Sequence, residues 1–93
     1  MDNAYFSEVA RKLVYEYTLA HLDKSDEFTF SLEDVFIVWS CKTLQNNKAM
    51  LSTKLFDGMY YEVTYNGNQR EFYLDAYKKF QNLKFVRGDL VNV

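Results

Sequence analysis

The residue types that most often carry out catalysis are scarce in this sequence. His21 is the single histidine and Cys41 the single cysteine. His21 lies near the end of a predicted helix and close to Asp23, which is typical of a surface or capping histidine, and no nucleophile lies beside it in sequence. Cys41 follows the most apolar stretch of the chain, which favours a buried and unreactive thiol. Neither residue supports a catalytic triad or a zinc site, so we expect a protein that is not an enzyme and uses no cofactor.

The stretch from Asp23 to Asp34 places an oxygen-bearing side chain at each position where an EF-hand loop binds calcium. Its sixth position, however, is Phe28, where such a loop needs glycine for a sharp turn, and its twelfth is an aspartate rather than a bidentate glutamate. We therefore interpret it as an acidic loop. Residues 1–40 carry eight acids and three bases, so their acidic side chains can imitate a phosphate backbone in a basic groove of a partner. The candidate partner-binding residues of the loop are Asp23, Asp26 and Glu27.

Basic residues gather near the other end of the sequence, among aromatic residues. Such a cluster can bind nucleic acid through phosphate contacts and base stacking. The formal net charge of -2 counts against this function, and the solvated face of a helix also explains the lysines. Nucleic-acid binding is therefore the alternative function, and its candidate residues are Lys78, Lys79, Lys84 and Arg87.

Tyrosine is a common binding residue when it is exposed, and two tyrosines fall on the outer face of a predicted sheet. Tyr60 and Tyr73 are expected to adjoin across neighbouring strands, beside Glu62, Glu71 and Lys54. An antiparallel sheet can simply leave one face in water, but tyrosines on such a face also fit an interface hot spot. We predict that Tyr60, Glu62 and Tyr73 bind a partner protein.

The first 45 residues carry the patterns of two helices. Apolar residues recur every three or four positions over residues 4–22, which predicts an amphipathic helix. A second helix is predicted over residues 32–45, because Ser31 and Asp34 are spaced as a capping box and the run Val35–Trp39 is apolar on every side. The β-branched residues of that run leave a strand as the alternative.

Two turn signals, Asp57-Gly58 and Asn66-Gly67, divide the next segment into a predicted three-stranded antiparallel meander. The strands are expected at residues 49–55, 59–65 and 70–74. Apolar spacing then predicts a third helix at residues 76–84. The sequence therefore predicts the α+β order α-α-β-β-β-α, with the helices on one face of the meander.

The strand register can also be predicted. A three-residue loop with Gly58 in the left-handed conformation pairs Leu51 with Val63. For the second hairpin we favour the register that pairs Val63 with Phe72, because the alternative opposes Glu62 and Glu71. Both registers of the second hairpin place Tyr61, Val63, Phe72 and Leu74 toward the core, and the first hairpin adds Leu51, Thr53 and Leu55.

Composition sets further limits. Ninety-three residues, 48% of them apolar and 18% aromatic, suffice for one domain with a single core, spanning residues 1–93. The longest apolar run has five residues, Val35–Trp39, far short of the about 20 that cross a membrane. The start of the sequence does not resemble an export signal, and one cysteine cannot form an internal disulfide. We therefore expect a cytoplasmic protein without a membrane partner.

Three segments, Val38–Trp39, Cys41–Asn46 and Asp57–Gly67, resemble a family of short uncharacterised proteins encoded by phages and integrative elements of Gram-positive bacteria. The resemblance covers residues 35–83 and carries over no catalytic residue. It implies a mobile-element accessory protein in the cytoplasm of a bacterial host. Small proteins in that setting often bind and disable a host defence nuclease, as anti-CRISPR proteins do, so the resemblance implies an inhibitor of such an effector, for example a Cas9-type nuclease.

Overall fold

A computed structural model describes residues 1–22 and 29–90 of the chain. Within these residues one long helix comes first, a turn of 3-10 helix precedes the first strand, and four strands lead to a short last helix. The elements are α1 (Asn3–His21), the 3-10 turn (Leu32–Asp34), β1 (Val35–Thr43), β2 (Asn46–Thr53), β3 (Met59–Asn66), β4 (Glu71–Lys78) and α2 (Arg87–Leu90).

Helix α1 forms where the sequence predicts a helix over residues 4–22. The side chain of Asp2 caps it by accepting a 2.8 Å hydrogen bond from the backbone N–H of Tyr5. Steps of four residues keep side chains on one side of a helix, and this side of α1 is buried. The buried residues of α1 are Phe6, Ala10, Val14 and Thr18.

The four strands form an antiparallel meander in the order β1-β2-β3-β4. Successive side chains of each strand alternate between the two sides of the sheet, and α1 packs against one of them, the inner side. The buried apolar core is formed between α1 and this inner side. Its members from the strands are Val35, Ala49, Leu51, Tyr61 and Val63.

Arg11 fixes α1 to the start of the sheet. Its Nε donates a 3.0 Å hydrogen bond to the carbonyl of Val35, and its Nη2 donates one of 2.9 Å to the carbonyl of Leu32. Next to this contact, the backbone N–H of Ser31 donates to Oδ2 of Asp34 at 2.8 Å, as the capping-box spacing predicts. These contacts set the direction in which the chain enters β1.

The predicted second helix over residues 32–45 is wrong. Its first residues form only the 3-10 turn, and Val35–Thr43 is the edge strand β1, paired with β2. The β-branched residues Val35, Ile37 and Val38 favour the extended backbone, and strand pairing satisfies their peptide groups. Leu44, with a φ of 56°, then turns the chain directly into β2. The strand alternative was therefore the correct interpretation of this run.

The predicted third helix over residues 76–84 is also wrong. Strand β4 continues to Lys78, and residues 79–86 have no regular secondary structure. Ala76 pairs with Tyr61 and Lys78 pairs with Met59, so the backbone hydrogen bonds of this segment go to the sheet. The predicted order α-α-β-β-β-α is thereby replaced by one main helix followed by a four-stranded antiparallel sheet.

Both predicted registers are wrong by two residues. Leu51 pairs with Tyr61 rather than Val63, and Val63 pairs with Leu74 rather than Phe72. The loop between β2 and β3 is longer than expected, although Gly58 does have the left-handed conformation, with a φ of 71°. A shift of two residues preserves the side on which each side chain lies, so the predicted inward residues stay inward.

Candidate surface for protein binding

The side of the sheet opposite α1 is the candidate functional site, and we call it the open face. Strand pairing defines it, because opposed residues of antiparallel strands point to the same side. Lys48 and Cys41 are opposed, as are Met50 and Trp39. In strand order the open face contains Phe36, Trp39, Cys41, Thr43, Asn46, Lys48, Met50, Ser52, Tyr60, Glu62, Thr64, Asn66, Glu71, Tyr73, Asp75 and Tyr77.

Large aromatic side chains lie at both edges of the open face. On β1, Phe36 is 49% exposed and Trp39 42% exposed. On β4, Tyr73 is 47% exposed and Tyr77 41% exposed. Large aromatic side chains are seldom this exposed on neighbouring positions of one strand. Interfaces, in contrast, are enriched in tryptophan and tyrosine.

Tyr60 and Tyr77 form a stacked pair across β3 and β4. The two residues are opposed in the register, their ring centroids are 5.1 Å apart and their planes are inclined by 15°. Stacking fixes both rings before any partner arrives, so a ligand that packs on them has less side-chain entropy to remove.

An ion pair occupies the middle of the open face. Nζ of Lys48 lies 2.7 Å from Oε1 of Glu62 on the neighbouring strand. The hydrogen bond and charge of Glu62 raise the pKa of Lys48 above its ordinary value. Because the pair neutralises one carboxylate, the remaining acids of the face determine its net charge.

Carboxylates outnumber bases at this surface. Asp75 is opposite Glu62, and these two carboxylates raise the pKa of Tyr77, Asp75 having the larger effect. The hydroxyl of Tyr73 donates a hydrogen bond to Glu71 at the end of β4, which raises the pKa of that tyrosine. The open face has three carboxylates, Glu62, Glu71 and Asp75, and one ammonium, Lys48, and therefore favours a positively charged ligand.

The predicted partner-binding residues are only partly brought together. Tyr60, Glu62 and Tyr73 all lie on the open face, but Tyr73 is opposite Thr64, so the expected contact with Tyr60 is wrong. Lys54 lies beyond the end of β2, where its Nζ is 3.1 Å from Oδ2 of Asp34. The acidic-loop residues Asp23, Asp26 and Glu27 lie outside the described residues, so binding by them stays a prediction.

The part of the open face on β1 was not predicted from the sequence. Phe36 and Trp39 were assigned to a buried helix, and Tyr77 to a third helix. The run Val35–Trp39 is apolar throughout, so it shows no alternation of polar and apolar residues, and the pairing skips Val38 through an irregularity between Ile37 and Trp39. That irregularity moves Trp39 onto the open face. Strict alternation of side chains along β1 would instead have placed Trp39 on the same side as Val35 and Ile37.

The basic residues proposed for nucleic-acid binding do not form a helical face. Lys78 ends β4, while Lys79 and Lys84 lie in the irregular segment that follows and Arg87 begins α2. All four are exposed. These four side chains therefore lie on a strand, an irregular segment and a short helix rather than on one face of a single helix.

Catalytic groups are not assembled among the described residues. The ring of His21 stacks on Tyr17 and its Nδ1 lies 2.8 Å from the Tyr17 carbonyl, at the end of α1. Cys41 is exposed on the open face, on the other side of the sheet, so the prediction of a buried thiol is wrong. Residues 1–22 and 29–90 contain no group of three acids, histidines or cysteines positioned for a metal ion.

Two shallow clefts flank the loop between β2 and β3. One is lined by residues that include Phe56 and Lys79, the other by residues that include His21 and Tyr61, and each has a volume of about 230 Å³. Typical small-molecule sites measure about 300–1,000 Å³, so both of these clefts are smaller than such a site. Burial raises the pKa of the Tyr61 hydroxyl beside the second cleft.

No helix within the described ranges has the length and apolar character that a membrane span requires. In the comparison with known protein families, residues 7–87 match a family described as a family of unknown function, DUF6275. Neither the curated proteins nor the solved structures include a significant match to the chain.

Proposed function

We propose a function for this chain, which belongs to the family of unknown function DUF6275: it acts by binding another protein through the open face of its sheet, without catalysis. The observation that carries this proposal is the uncovered sheet surface with exposed aromatic residues on both edge strands. Trp39 on β1 and Tyr77 on β4 flank the Lys48–Glu62 ion pair. Aromatic anchors around a polar centre are the composition of an interface hot spot.

The chemistry of the open face selects a class of partner. Its rings present negatively polarised faces, and Glu62 and Asp75 add negative charge beside Tyr77. A partner segment that combines arginine or lysine with apolar side chains can place cations over the rings and alkyl or aromatic groups between them. Each cation–π contact contributes about 0.5–1 kcal/mol at an exposed site.

The proposed partner is a host defence protein, and the leading candidate is a Cas9-type nuclease. Such nucleases hold nucleic acid in a positively charged channel, which matches the acids of the open face and of the loop that contains Asp23, Asp26 and Glu27. The setting proposed is the cytoplasm of a Gram-positive host that carries a phage or an integrative element, as the resemblance implies. The chain then acts as an inhibitor that occupies the channel.

Direct binding to purified nucleases tests this proposal. We would measure biolayer interferometry against Cas9-type nucleases from Gram-positive hosts, together with their DNA cleavage. Tyr73→Ser should weaken binding to a nuclease by at least about 30-fold, the effect of losing one hot-spot residue. Tyr5→Ser is the matched control, because Tyr5 on α1 is 56% exposed and Tyr73 is 47% exposed. The control should change affinity by less than about 3-fold.

Two results would oppose the proposal. Failure of every nuclease in the panel to bind or be inhibited would remove the proposed partner class. Equal weakening by Tyr5→Ser and Tyr73→Ser would remove the open face as the binding surface. Titration with single-stranded DNA and RNA at low salt tests the alternative, and binding that disappears in Lys78→Ala, Lys79→Ala and Lys84→Ala variants would favour nucleic acid.

A further inference from the structure

The segment after β4, Lys79–Arg87, exposes apolar side chains that nothing in the described chain covers, and we call it the tail. Phe80 is 96% exposed and Phe85 66% exposed, and Leu83 and Val86 are exposed as well. Apolar residues that recur in an exposed segment without packing mark a surface for interaction rather than a solvated linker.

The dimensions of the chain show how far it departs from a compact monomer. Its radius of gyration is 16.3 Å, whereas about 12 Å is expected for a compact domain of this length. It exposes 7160 Å², about 1,500 Å² more than the roughly 5,700 Å² of a typical monomer of its mass. A standard interface buries about 800 Å² per partner, so the excess surface is sufficient for one.

The tail and the open face have complementary chemistry. The tail carries Lys79, Lys84 and Arg87 and no acid. The open face carries Glu62 and Asp75 with one base, Lys48, and its exposed rings match the phenylalanines of the tail. The opposite charges attract the tail to the open face, and the matching apolar groups fix where along the face the tail binds.

The tail does not cover the open face of its own chain, because Phe80 and Phe85 on the tail and Trp39 and Tyr77 on the face are all exposed. The backbone N–H of Lys79 donates a 2.7 Å hydrogen bond to the carbonyl of Gly58, which keeps the start of the tail in line with β4. An extended tail of nine residues reaches about 30 Å, whereas four strands span about 14 Å from first to last. The tail is long enough to cross the open face of a neighbouring molecule.

We propose that two copies of this chain form a symmetric dimer in which the tail of each copy lies on the open face of the other. This inference rests on the proposed function, because it uses the open face as the binding surface and names a second copy as one occupant. The arrangement is closed and self-complementary, as in most homodimers. A foreign partner must then displace the tail, so self-association and partner binding compete.

We call this arrangement, in which each tail lies on the open face of the other copy, tail exchange. The oligomeric state of the full chain tests it. Sedimentation equilibrium from about 1 to about 200 µM should show a dimer with a micromolar dissociation constant. Phe80→Ser combined with Phe85→Ser should raise that constant by at least about 30-fold. Phe56→Ser is the matched control, since Phe56 is fully exposed in the loop between β2 and β3, and should change it by less than about 3-fold.

The single cysteine allows the contact to be located. A spin label on Cys41, at the β1 edge of the open face, is placed in unlabelled chain, which is mixed with isotope-labelled Cys41→Ser chain. Tail exchange predicts that the label broadens the amide signals of residues 79–87 of the other copy. A monomer at every concentration, a dimer insensitive to the tail variants, or broadening elsewhere without the tail would each overturn tail exchange.

Failure of this inference and failure of the proposed function give different results. A monomer that binds a nuclease in a Tyr73-dependent manner overturns tail exchange and leaves the proposed function intact. A tail-exchanged dimer whose Phe80→Ser, Phe85→Ser variant is monomeric and binds no nuclease overturns the foreign partner and supports self-association through the open face.

Discussion

A methyl group added at Gly67 should destabilise the fold. It would force apart the turn between β3 and β4 and the turn between β1 and β2, which contact each other. The added Cβ would lie 2.1 Å from the carbonyl oxygen of Gln45 and 2.7 Å from its Cβ. Carbon and oxygen atoms that are not bonded ordinarily approach no closer than about 3.3 Å. The turn between β1 and β2 must therefore move away from residue 67 by roughly 1 Å. That movement also strains two hydrogen bonds, from Gly67 N–H to Asn46 Oδ1 at 3.0 Å and from Gln45 Nε2 to Asn68 Oδ1 at 2.6 Å.

The expected cost of Gly67→Ala is about 2 kcal/mol, combining overpacking with weakened exposed hydrogen bonds. In a domain of this size that loss lowers the melting temperature by roughly 8–16 °C. Calorimetry or circular dichroism of the wild type and the variant measures the difference. The shortest contact joins the added Cβ, whose position the backbone fixes, to a backbone oxygen, so no side-chain rotamer change can relieve it.

The two other glycines provide controls that separate clash from backbone strain. Gly58→Ala meets no close atom but keeps a φ of 71°, so it should cost about 1 kcal/mol. Gly88→Ala has open space around it and should shift the melting temperature by less than about 3 °C. A Gly67→Ala protein as stable as the wild type, or a Gly88→Ala protein equally destabilised, would refute the contact between the two turns.

Three further predictions concern single groups. Arg11→Met should lower the free energy of unfolding in urea by about 2–3 kcal/mol through loss of two charged hydrogen bonds, whereas Lys12→Met, at an exposed site, should change it by less than about 0.5 kcal/mol. The backbone hydrogen bond from Ser31 holds the pKa of Asp34 below its ordinary value, so its contribution to stability is present above the unfolded pKa of about 3.9 and is lost as pH falls through the folded pKa. The wild type should therefore lose stability relative to Asp34→Asn in acid, and parallel unfolding curves from pH 6 to 2 would contradict this. Asp75→Asn should lower the raised pKa of Tyr77 in an ultraviolet titration, and an unchanged pKa would show that Asp75 is not its main cause.

Patterns within one element were predictable from the sequence. The helical repeat of residues 4–22, the Ser31–Asp34 spacing and the positive φ of Gly58 each depend on local sterics and hydrogen bonds, and all three are present. The inward side of β3 was also predictable, since a register error of two residues leaves side chains where they were.

Features that depend on partners distant in sequence were not predictable. The run Val35–Trp39 is apolar enough for a buried helix, and only pairing with β2 decides that it is a strand. Ala76, Phe80 and Leu83 are spaced as on one side of a helix, but Ala76–Lys78 pairs with β3. Because both segments were assigned to helices, the sequence showed two tyrosines of the open face, Tyr60 and Tyr73, and not Trp39 or Tyr77.

Hydroxyl-radical footprinting of the chain, free and bound to a nuclease, tests the open face most directly. The Phe80→Ser, Phe85→Ser variant serves as the free reference, because its tails should leave the face uncovered. We predict that binding to the nuclease slows the oxidation of Trp39 and Tyr77. The oxidation rate of Tyr5, on α1, should be the same in the free and the bound chain. Protection of Tyr5 with unchanged oxidation of Trp39 and Tyr77 would contradict this prediction.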